Sequence, residues 1–141
     1  MDQPASSVCF QCSNKGKKVD NATIKNLISV SLHRVEDVTH FFCANPDCTV
    51  VYFAEDRSET FFQHDLRERV YQKEPNADDV LVCYCFFHTL GDIHAGMIGE
   101  GQNSIVDDIN DGIQRGHCAC DWRNPQGTCC LGNVLKIIKT T

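Results

Sequence analysis

Ten cysteines dominate this sequence, and their spacing divides them into two groups that follow different patterns. The first group is Cys9, Cys12, Cys43 and Cys48, and the second is Cys83, Cys85, Cys118, Cys120, Cys129 and Cys130. A C-x2-C pair followed by a C-x4-C pair is typical of a structural zinc site. A C-x-C pair followed far downstream by further cysteines on a glycine-bearing loop is closer to the pattern of an iron–sulfur cluster. The spacing therefore predicts two metal centres in one chain of 141 residues.

A disulfide framework is the alternative use of an even number of cysteines. The C-x-C pairs and the adjacent Cys129 and Cys130 are poor partners for relaxed disulfides, whose Cα atoms usually lie roughly 5.5–6 Å apart. Residues 1–8 contain neither a positively charged segment nor an apolar segment, so we expect no signal peptide. We therefore expect a cytoplasmic protein whose thiols are kept reduced and serve as metal ligands.

The composition argues against two classes of partner. The net charge is −6 at pH 7, whereas a nucleic-acid-binding protein normally presents a basic face. The short cluster of Lys15, Lys17 and Lys18 is predicted to be a solvated turn. The longest apolar stretches, residues 50–54 and 81–87, are far shorter than the about 20 residues of a membrane-spanning helix. We expect neither nucleic-acid binding nor membrane insertion.

The pattern predicts an α+β fold that begins with a small, β-rich, zinc-stapled domain over residues 1–74. Runs of β-branched and aromatic residues predict strands over residues 40–43, 49–53 and 60–64. One short helix is predicted from the helical spacing of Ile24, Leu27 and Ile28. A domain of about 60 residues buries too little apolar surface to be stable without an additional cross-link, and a bound metal ion would supply one.

The second half of the chain is predicted to be helical. Residues 75–79 are polar and are predicted to form a linker, and residues 80–141 a small three-helix ferredoxin-like domain that binds a [2Fe-2S] cluster. The helices are predicted to begin near Thr89, where Asp92 lies three residues on, near Ser104 and near Leu131. Ile93 and Met97 mark the expected buried face of the first of these helices.

The first cysteine group is predicted to bind one zinc ion through four thiolates, those of Cys9, Cys12, Cys43 and Cys48. The turn at Pro46 is expected to fold the C-x4-C pair back on itself. Because no ligand position stays open, the zinc is predicted to be structural, and its binding energy becomes folding energy. Asp47 or His40 in place of one cysteine is the alternative ligand set.

The second group contains six cysteines, of which a [2Fe-2S] cluster needs four. Cys83 and Cys85 come from one loop. The Asn-Pro-Gln-Gly stretch at residues 124–127 has the residues of a tight turn, which returns the chain so that a later cysteine meets an earlier one. A second zinc ion in place of the cluster is the main alternative.

Three stretches of the sequence carry a resemblance to a known family. They are the motif Cys83-Tyr-Cys85, the stretch Asn124-Pro-Gln-Gly-Thr-Cys-Cys130, and the upstream run from Phe42 to Phe53. These stretches are similar to the [2Fe-2S] domain of the bacterioferritin-associated ferredoxin type. They resemble more closely the N-terminal region of CopZ-type copper chaperones, which carries a zinc-binding domain and a [2Fe-2S] domain. The resemblance covers nearly the whole chain, roughly residues 9–134.

The resemblance also implies which thiols hold the cluster. They are Cys83, Cys85, Cys120 and one cysteine of the final pair. Cys120 is favoured over Cys118 because it keeps the family's distance to the Asn-Pro turn. Cys130 is preferred over Cys129 because it lies four residues before Val134, as the last ligand precedes a leucine in the ferredoxin-type domain.

The function implied by the resemblance is that of a metallochaperone in copper handling, whose cluster domain passes one electron and converts Cu(II) to Cu(I). The family's copper-delivery module, a heavy-metal-associated βαββαβ domain with a Met-x-Cys-x-x-Cys loop, is expected to be missing from this chain. Cys118 and Cys129 remain as spare soft ligands, and thiolates favour Cu(I). The expected partners are metal ions, copper among them, and a redox partner or a metal transporter or chaperone.

The sequence shows no sign of an enzyme. It has no Ser-His-Asp order and no phosphate-binding glycine loop, so we expect no catalytic activity. Two functions stay open beside electron transfer. One is a non-redox interaction or metal-transfer protein whose metals are structural, and the other is a sensor that responds to loss of its cluster.

Overall fold

A computed structural model describes residues 7–96 and 104–140 of the chain. In chain order these residues form β1 (Lys17–Val19), α1 (Asn21–Leu27), β2 (His40–Phe42), β3 (Val50–Ala54), β4 (Thr60–Phe62), β5 (Leu81–Cys83), β6 (His88–Thr89), α2 (Leu90–Gly96), α3 (Ser104–Gln114), α4 (Cys120–Arg123) and α5 (Leu131–Thr140). Strands dominate the first half of the chain and helices the second. None of these helices is both long and apolar enough to cross a membrane.

The first four strands form one antiparallel sheet in the order β1-β2-β3-β4. Aromatic side chains face each other across β2 and β3, where Phe41 pairs with Phe53 and Phe42 with Tyr52. Such cross-strand aromatic pairs stabilise a sheet. All five residues of β3 are buried, so this strand is covered on both faces. The three strands predicted for this half are confirmed as β2, β3 and β4.

Two details of the sheet differ from the sequence expectation. Lys17 and Lys18 were expected in a solvated turn, but they belong to β1, where both are exposed and Val19 is buried. Lysines are suited to this position because β1 is an edge strand, and charged edges resist pairing with other chains. The last predicted strand stops at Phe62, because the Asp65 carboxylate accepts the Phe62 N–H at 2.9 Å and begins a short 3-10 turn.

The predicted short helix of the first half is confirmed as α1. The Asp20 carboxylate accepts the Ala22 N–H at 2.9 Å and caps the first turn. Thr23, Ile24 and Leu27 are buried on one face of this helix. Ile24 packs with the buried side chains of the sheet, so α1 covers the sheet and closes the first core.

The helices predicted for the second half are confirmed as α2, α3 and α5. At the start of α2, Thr89 Oγ1 accepts the Asp92 N–H at 3.0 Å, and the Asp92 carboxylate accepts the Thr89 N–H at 3.1 Å. This reciprocal pair is the capping box expected from the sequence. Ile93 is fully buried, as predicted, whereas Met97 lies outside the described residues.

Two elements of the second half were not predicted. The β5–β6 hairpin carries the C-x-C motif, with Cys83 at the end of β5 and Cys85 in the connecting loop. The one-turn helix α4 begins at Cys120. Both elements are too short to leave a periodic hydrophobic pattern in the sequence. Both elements can therefore be recognised only in the folded structure, where they position the thiols of the second cysteine group.

Helix α4 and the loop that follows it rest directly on the first half of the chain. Thr23 Oγ1 of α1 donates a hydrogen bond to the carbonyl oxygen of Asp121. Tyr52 Oη of β3 donates a hydrogen bond of 2.5 Å to the carbonyl oxygen of Pro125. The sheet and α1 therefore form part of the support beneath the second cysteine group.

The predicted linker, residues 75–79, is clamped by an arginine that precedes it. Arg69 Nη2 lies 2.8 Å from a Glu74 carboxylate oxygen, and Arg69 Nη1 lies 2.9 Å from an Asp79 carboxylate oxygen. These ion pairs are largely exposed and contribute little each, but together they bring the two ends of the segment close to one side chain. The domain boundaries on either side of residues 75–79 stay predictions.

Candidate metal centres

The C-x2-C pair of the first group lies in a tight turn near the start of the described chain. The Cys9 N–H donates to the Asn14 carbonyl at 2.9 Å, and the Ser13 N–H donates to the Cys9 carbonyl at 2.8 Å. Ser13 has a φ of +65°, the left-handed conformation that reverses the chain just after Cys12. The turn therefore places the thiols of Cys9 and Cys12 next to each other.

The C-x4-C pair lies at the end of the sheet. The Cys43 N–H donates to the Val51 carbonyl at 2.8 Å, which continues the pairing of β2 with β3 and fixes the direction of the thiol. The Cys48 N–H donates to the Asn45 carbonyl at 3.1 Å, and the Asn45 side chain accepts the Asp47 N–H at 3.1 Å. These bonds close the predicted turn and return Cys48 to Cys43.

The four sulfur atoms of the first group lie within 4.8 Å of one another. The Sγ atoms of Cys9 and Cys48 are 3.8 Å apart, and those of Cys12 and Cys43 are 3.6 Å apart. Four Zn–S bonds of about 2.3 Å in a tetrahedron require sulfur separations of about 3.8 Å. The observed spacing fits one tetrahedral zinc ion. Three of these thiols are buried and Cys12 is half-buried, so the site has no wide opening to solvent.

The ionisation of these thiols also favours a cation at their centre. Burial raises the pKa of Cys43 to about 12. Burial also opposes ionisation of Cys12, but hydrogen bonds with Asn14, Asn45 and the neighbouring thiols together outweigh it and lower its pKa to about 6. Four neighbouring thiols cannot all become thiolates without a positive charge between them, and a bound zinc ion supplies that charge.

The two alternative zinc ligands lie outside this group of four sulfur atoms. His40 is fully buried in β2, where its Nε2 lies 2.6 Å from a Glu59 carboxylate oxygen. Its Nδ1 lies 3.0 Å from the Asn21 side-chain oxygen, so both ring nitrogens are engaged in the sheet half. Asp47 is exposed at the turn, and its carboxylate is not among the clustered ligand atoms.

The second group brings together thiols from the β5–β6 hairpin, from the start of α4 and from the residue just before α5. The Sγ atoms of Cys85 and Cys120 are 3.4 Å apart. Cys83, Cys120 and Cys130 belong to one buried cluster, and Cys85 packs against it. The four predicted ligands therefore converge in one part of the second half of the chain.

These contacts separate the proton affinities of the thiols. Hydrogen bonding with Cys130 lowers the pKa of Cys120 to about 6 and that of Cys83 to about 7. The same bonds raise the pKa of Cys130, because its proton is held between two neighbouring sulfurs. Burial raises the pKa of Cys85 to about 12. Two thiols of the group thus ionise easily, and the other two need a metal to displace their protons.

The two remaining cysteines of the second group lie at the surface. Cys118 and Cys129 are both exposed, whereas Cys130 is only 1% exposed. Cys129 Sγ accepts the Leu131 N–H at 3.4 Å, at the start of α5. Cys130 lies one helical turn before Val134, and its carbonyl accepts the Val134 N–H at 3.0 Å.

The sequence analysis missed the role of Gln126, which lies in the turn before the final cysteines. Its side-chain Nε2 donates to the carbonyls of Thr128 at 3.2 Å and Cys129 at 3.1 Å. Its Oε1 accepts from Gln72 at 2.6 Å and from Asn133 at 3.0 Å. Gln126 therefore ties the backbone just before Cys130 to both halves of the chain, and only its position in the turn hinted at this.

The sequence analysis also treated Asn124 as a turn residue and nothing more. Its Oδ1 accepts the Gln126 N–H at 3.1 Å, as in a turn of this kind. Its Nδ2 is buried and has no hydrogen-bond partner, and it is the one such side-chain atom in the described part of the chain. This orphaned donor lies in the segment between Cys120 and Cys130.

A closed, four-thiolate site on a small β-rich scaffold defines the first half as a zinc-binding domain, and comparison with known proteins agrees. Residues 6–67 match the zf_CopZ family, which is described as a zinc binding domain. The structure is similar to the X-ray structure of the CopZ N-terminal domain from Archaeoglobus fulgidus, with a TM-score of 0.77 and 27% sequence identity. That similarity covers 92% of this chain and 96% of the other. No match was found among curated proteins.

These findings assign zinc to the first site and a role in metal handling to the chain. The zinc-binding match ends at residue 67, before the second cysteine group begins. The structural similarity continues through most of the chain, so the helical half also has a counterpart in the CopZ N-terminal domain.

Proposed function

We propose that this chain is an iron–sulfur and zinc protein of metallochaperone type that transfers one electron in the handling of copper or another metal ion. In this proposal Cys83, Cys85, Cys120 and Cys130 hold a [2Fe-2S] cluster. The zinc ion of the first site is structural. The protein is not an enzyme, and a reducing compartment such as the cytoplasm suits it because all ten of its cysteines are free thiols.

The convergence of four thiols from two separated segments is the observation that carries this proposal. The hairpin contributes Cys83 and Cys85, and the segment from the start of α4 to the residue before α5 contributes Cys120 and Cys130. A [2Fe-2S] cluster takes four cysteine thiolates, which is the donor set found here. Three of the four are at most 8% exposed, a degree of burial that protects a cluster from solvent.

The spread of these sulfurs favours two metal ions over one. In the described part of the chain, the first group is the one set of three or more ligand atoms that all lie within 4.8 Å of one another. In the second group the sulfurs of Cys85 and Cys120 are 3.4 Å apart, but no three of the group's thiols meet that criterion. A single zinc ion needs its ligands around one point, whereas two irons take two thiolates each.

The choice of Cys130 over Cys129 follows from their surroundings. Cys130 is buried in the same cluster as Cys120 and Cys83. Cys129 is exposed and receives a backbone N–H from Leu131. A ligand of a shielded cluster must face the other three, so Cys130 is the better candidate.

When bound, a [2Fe-2S] cluster supplies a carrier for one electron. In this proposal Cys83, Cys85, Cys120 and Cys130 would hold the cluster, which would supply the one electron needed to reduce Cu(II) to Cu(I), and a cellular donor protein would replace that electron. Similarity to a domain of CopZ supports copper as the metal that is handled. The protein contributes a fixed four-thiol frame and a buried environment, which set the reduction potential.

The zinc site contributes by building the surface on which the cluster loop rests. Its four ligands close the turn near Cys9 and the end of the sheet. The sheet half contacts α4 through Thr23 and the loop after α4 through Tyr52. Zinc binding therefore stabilises the support for the second site without taking part in electron transfer.

Anaerobic purification followed by metal analysis and visible spectroscopy tests the proposal. We expect two irons, two sulfides and one zinc per chain, with the absorption of a [2Fe-2S] centre that is bleached reversibly on reduction. Two zinc ions and no iron would contradict the proposal. A cluster that cannot be reduced by one electron would favour the non-redox interaction protein, and oxygen-induced loss of helical signal would favour the sensor.

A further inference from the structure

The side-chain amide of Asn124 is a buried donor with no acceptor inside the protein. Among the described residues, its Nδ2 is the one buried side-chain nitrogen or oxygen that makes no hydrogen bond. Asn124 is 1% exposed, so bulk solvent does not supply the acceptor. Buried polar groups are nearly always hydrogen-bonded, and each exception calls for a specific partner.

The neighbouring backbone shows which amide atom has no partner. The Gln126 N–H donates to Asn124 Oδ1 at 3.1 Å, and only an oxygen can accept it. If the Asn124 amide were turned the other way, its NH2 group would face the Gln126 N–H, and two donors cannot form a hydrogen bond with each other. The orphaned atom is therefore the NH2 nitrogen of Asn124, which seeks an acceptor.

Asn124 lies inside the loop that carries the last two proposed cluster ligands. Its backbone N–H donates to the Cys120 carbonyl at 3.0 Å, one turn beyond the first of these ligands. Gln126, bonded to the Asn124 side chain, extends the same network to the Cys129 carbonyl at 3.1 Å. Cys120 and Cys130, which lie on either side of Asn124 in the chain, belong to one buried cluster with Cys83, and Cys85 packs against it, so the segment that contains Asn124 begins and ends at the four-thiol group.

We propose that Asn124 Nδ2 donates a hydrogen bond to a sulfur atom of the bound [2Fe-2S] cluster. This inference rests on the proposed function of the second site. Cluster sulfurs accept hydrogen bonds and carry more negative charge in the reduced state, so a donor stabilises the reduced form and raises the reduction potential. Asn124 thereby raises the reduction potential of the cluster, and a cluster sulfur accepts the hydrogen bond for which Asn124 Nδ2 has no other partner.

The first test compares the cluster-loaded wild-type protein with Asn124→Leu, which keeps the approximate size of the side chain and removes the donor. We expect Asn124→Leu to retain two irons and one zinc per chain and to have a more negative midpoint potential. Asn133→Leu is the matched control, because the Asn133 amide already donates to Gln126 at 3.0 Å. Its potential should equal that of the wild type.

A cluster-loaded Asn124→Leu protein with the wild-type potential would overturn the proposal and indicate another acceptor, such as a buried water molecule. An equal shift in Asn124→Leu and Asn133→Leu would also overturn it, because the effect would then belong to the shared network around Gln126.

A second measurement needs no substitution and decides the question if Asn124→Leu does not fold. The wild-type protein is produced with asparagine isotopically labelled at the side-chain nitrogen, the cluster is reduced, and pulsed EPR records nitrogen hyperfine coupling. We expect a coupling that changes with the label, and a spectrum without one overturns the proposal. Failure of the unlabelled wild-type protein to assemble a cluster contradicts the proposed function itself, so the two failures are distinguishable.

Discussion

The phenol oxygen of Tyr52 donates a hydrogen bond of 2.5 Å to the carbonyl oxygen of Pro125, 73 residues further along the chain. Tyr52 is fully buried in the third strand of the sheet. Burial raises the pKa of Tyr52 well above its usual value, so the hydroxyl keeps its proton and its role as donor. Pro125 lies between Cys120 and Cys130, and this bond therefore couples the zinc half to the loop of the second site.

Removal of that hydroxyl should weaken the support of the loop. In Tyr52→Phe the ring keeps its packing, but the carbonyl of Pro125 loses its donor in a buried environment. A buried acceptor without a partner costs about 1–3 kcal/mol, and the free energy of unfolding should fall by this amount. Urea unfolding of the metal-loaded protein measures the change.

The zinc site serves as the internal control for Tyr52→Phe. Zinc content should equal that of the wild type, because the hydrogen bond between Tyr52 and Pro125 does not involve any of the four zinc ligands. Iron, in contrast, should be released to a chelator more rapidly. A loss of stability below about 0.5 kcal/mol, the range of neutral surface substitutions, together with unchanged iron release would show that other contacts hold the loop.

The adjacent cysteines at the start of α5 should behave differently when each is replaced by serine. Cys130→Ser removes a buried thiol that shares one cluster with Cys120 and Cys83, so we expect it to lose or shift the visible absorption of the cluster. Cys129→Ser alters an exposed thiol and should keep the wild-type spectrum and iron content. The reverse result, with Cys129→Ser losing the absorption and Cys130→Ser keeping it, would move the fourth ligand to Cys129.

Loss of zinc should unfold the sheet half. Cys48→Ser leaves three thiolates at the zinc site. Structural zinc contributes an apparent binding free energy of about 10–16 kcal/mol in small zinc peptides. Even a partial loss of this free energy exceeds the stability of a small domain. We expect circular dichroism to lose strand signal and iron to be released more rapidly, because Thr23 and Tyr52 no longer support the loop.

Asp47→Ala is the matched control for Cys48→Ser, because Asp47 lies beside the same turn, is exposed, and is not one of the four clustered ligands. It should retain zinc, strand signal and iron. A Cys48→Ser protein with wild-type strand signal after metal removal would show that the sheet folds without its zinc.

Features that depend on local sequence were predictable. The aromatic and β-branched runs around Phe42 and Val51 predict strands because their side chains fit a buried, pleated surface. The capping box of Thr89 and Asp92 is complete within four residues, so the start of α2 is visible in the sequence alone. The spacing of the cysteines likewise predicts the four-thiol zinc site, since each pair lies in one turn.

Features that depend on contacts between distant segments were not predictable. His40 was an alternative zinc ligand because it precedes Cys43 closely, yet its partner is Glu59, which only the sheet brings within 2.6 Å. Gln126 looks like an ordinary turn residue until folding places Gln72 at 2.6 Å from its oxygen. The unpartnered amide of the second site has no sequence signal, because the absence of a neighbour can be recognised only in three dimensions.

The two exposed cysteines of the second group lead to a prediction about a third metal. Cys118 and Cys129 each lie close in sequence to a proposed cluster ligand, and both thiols are accessible to solvent. Thiolates are the preferred ligands of Cu(I), and a small number of them is enough to bind one Cu(I) ion. We expect the cluster-loaded protein to bind one Cu(I) per chain under anaerobic conditions, as measured by competition with a Cu(I)-specific chelator.

The double variant Cys118→Ser/Cys129→Ser should lose this Cu(I) and keep the cluster spectrum, because neither thiol belongs to the proposed ligand set. Each single variant should bind Cu(I) more weakly than the wild type, since one thiolate of the pair remains. Copper retained by the double variant would contradict a site at these thiols. Bleaching of the cluster in step with copper addition to the wild type would show instead that Cu(I) takes the cluster's own ligands.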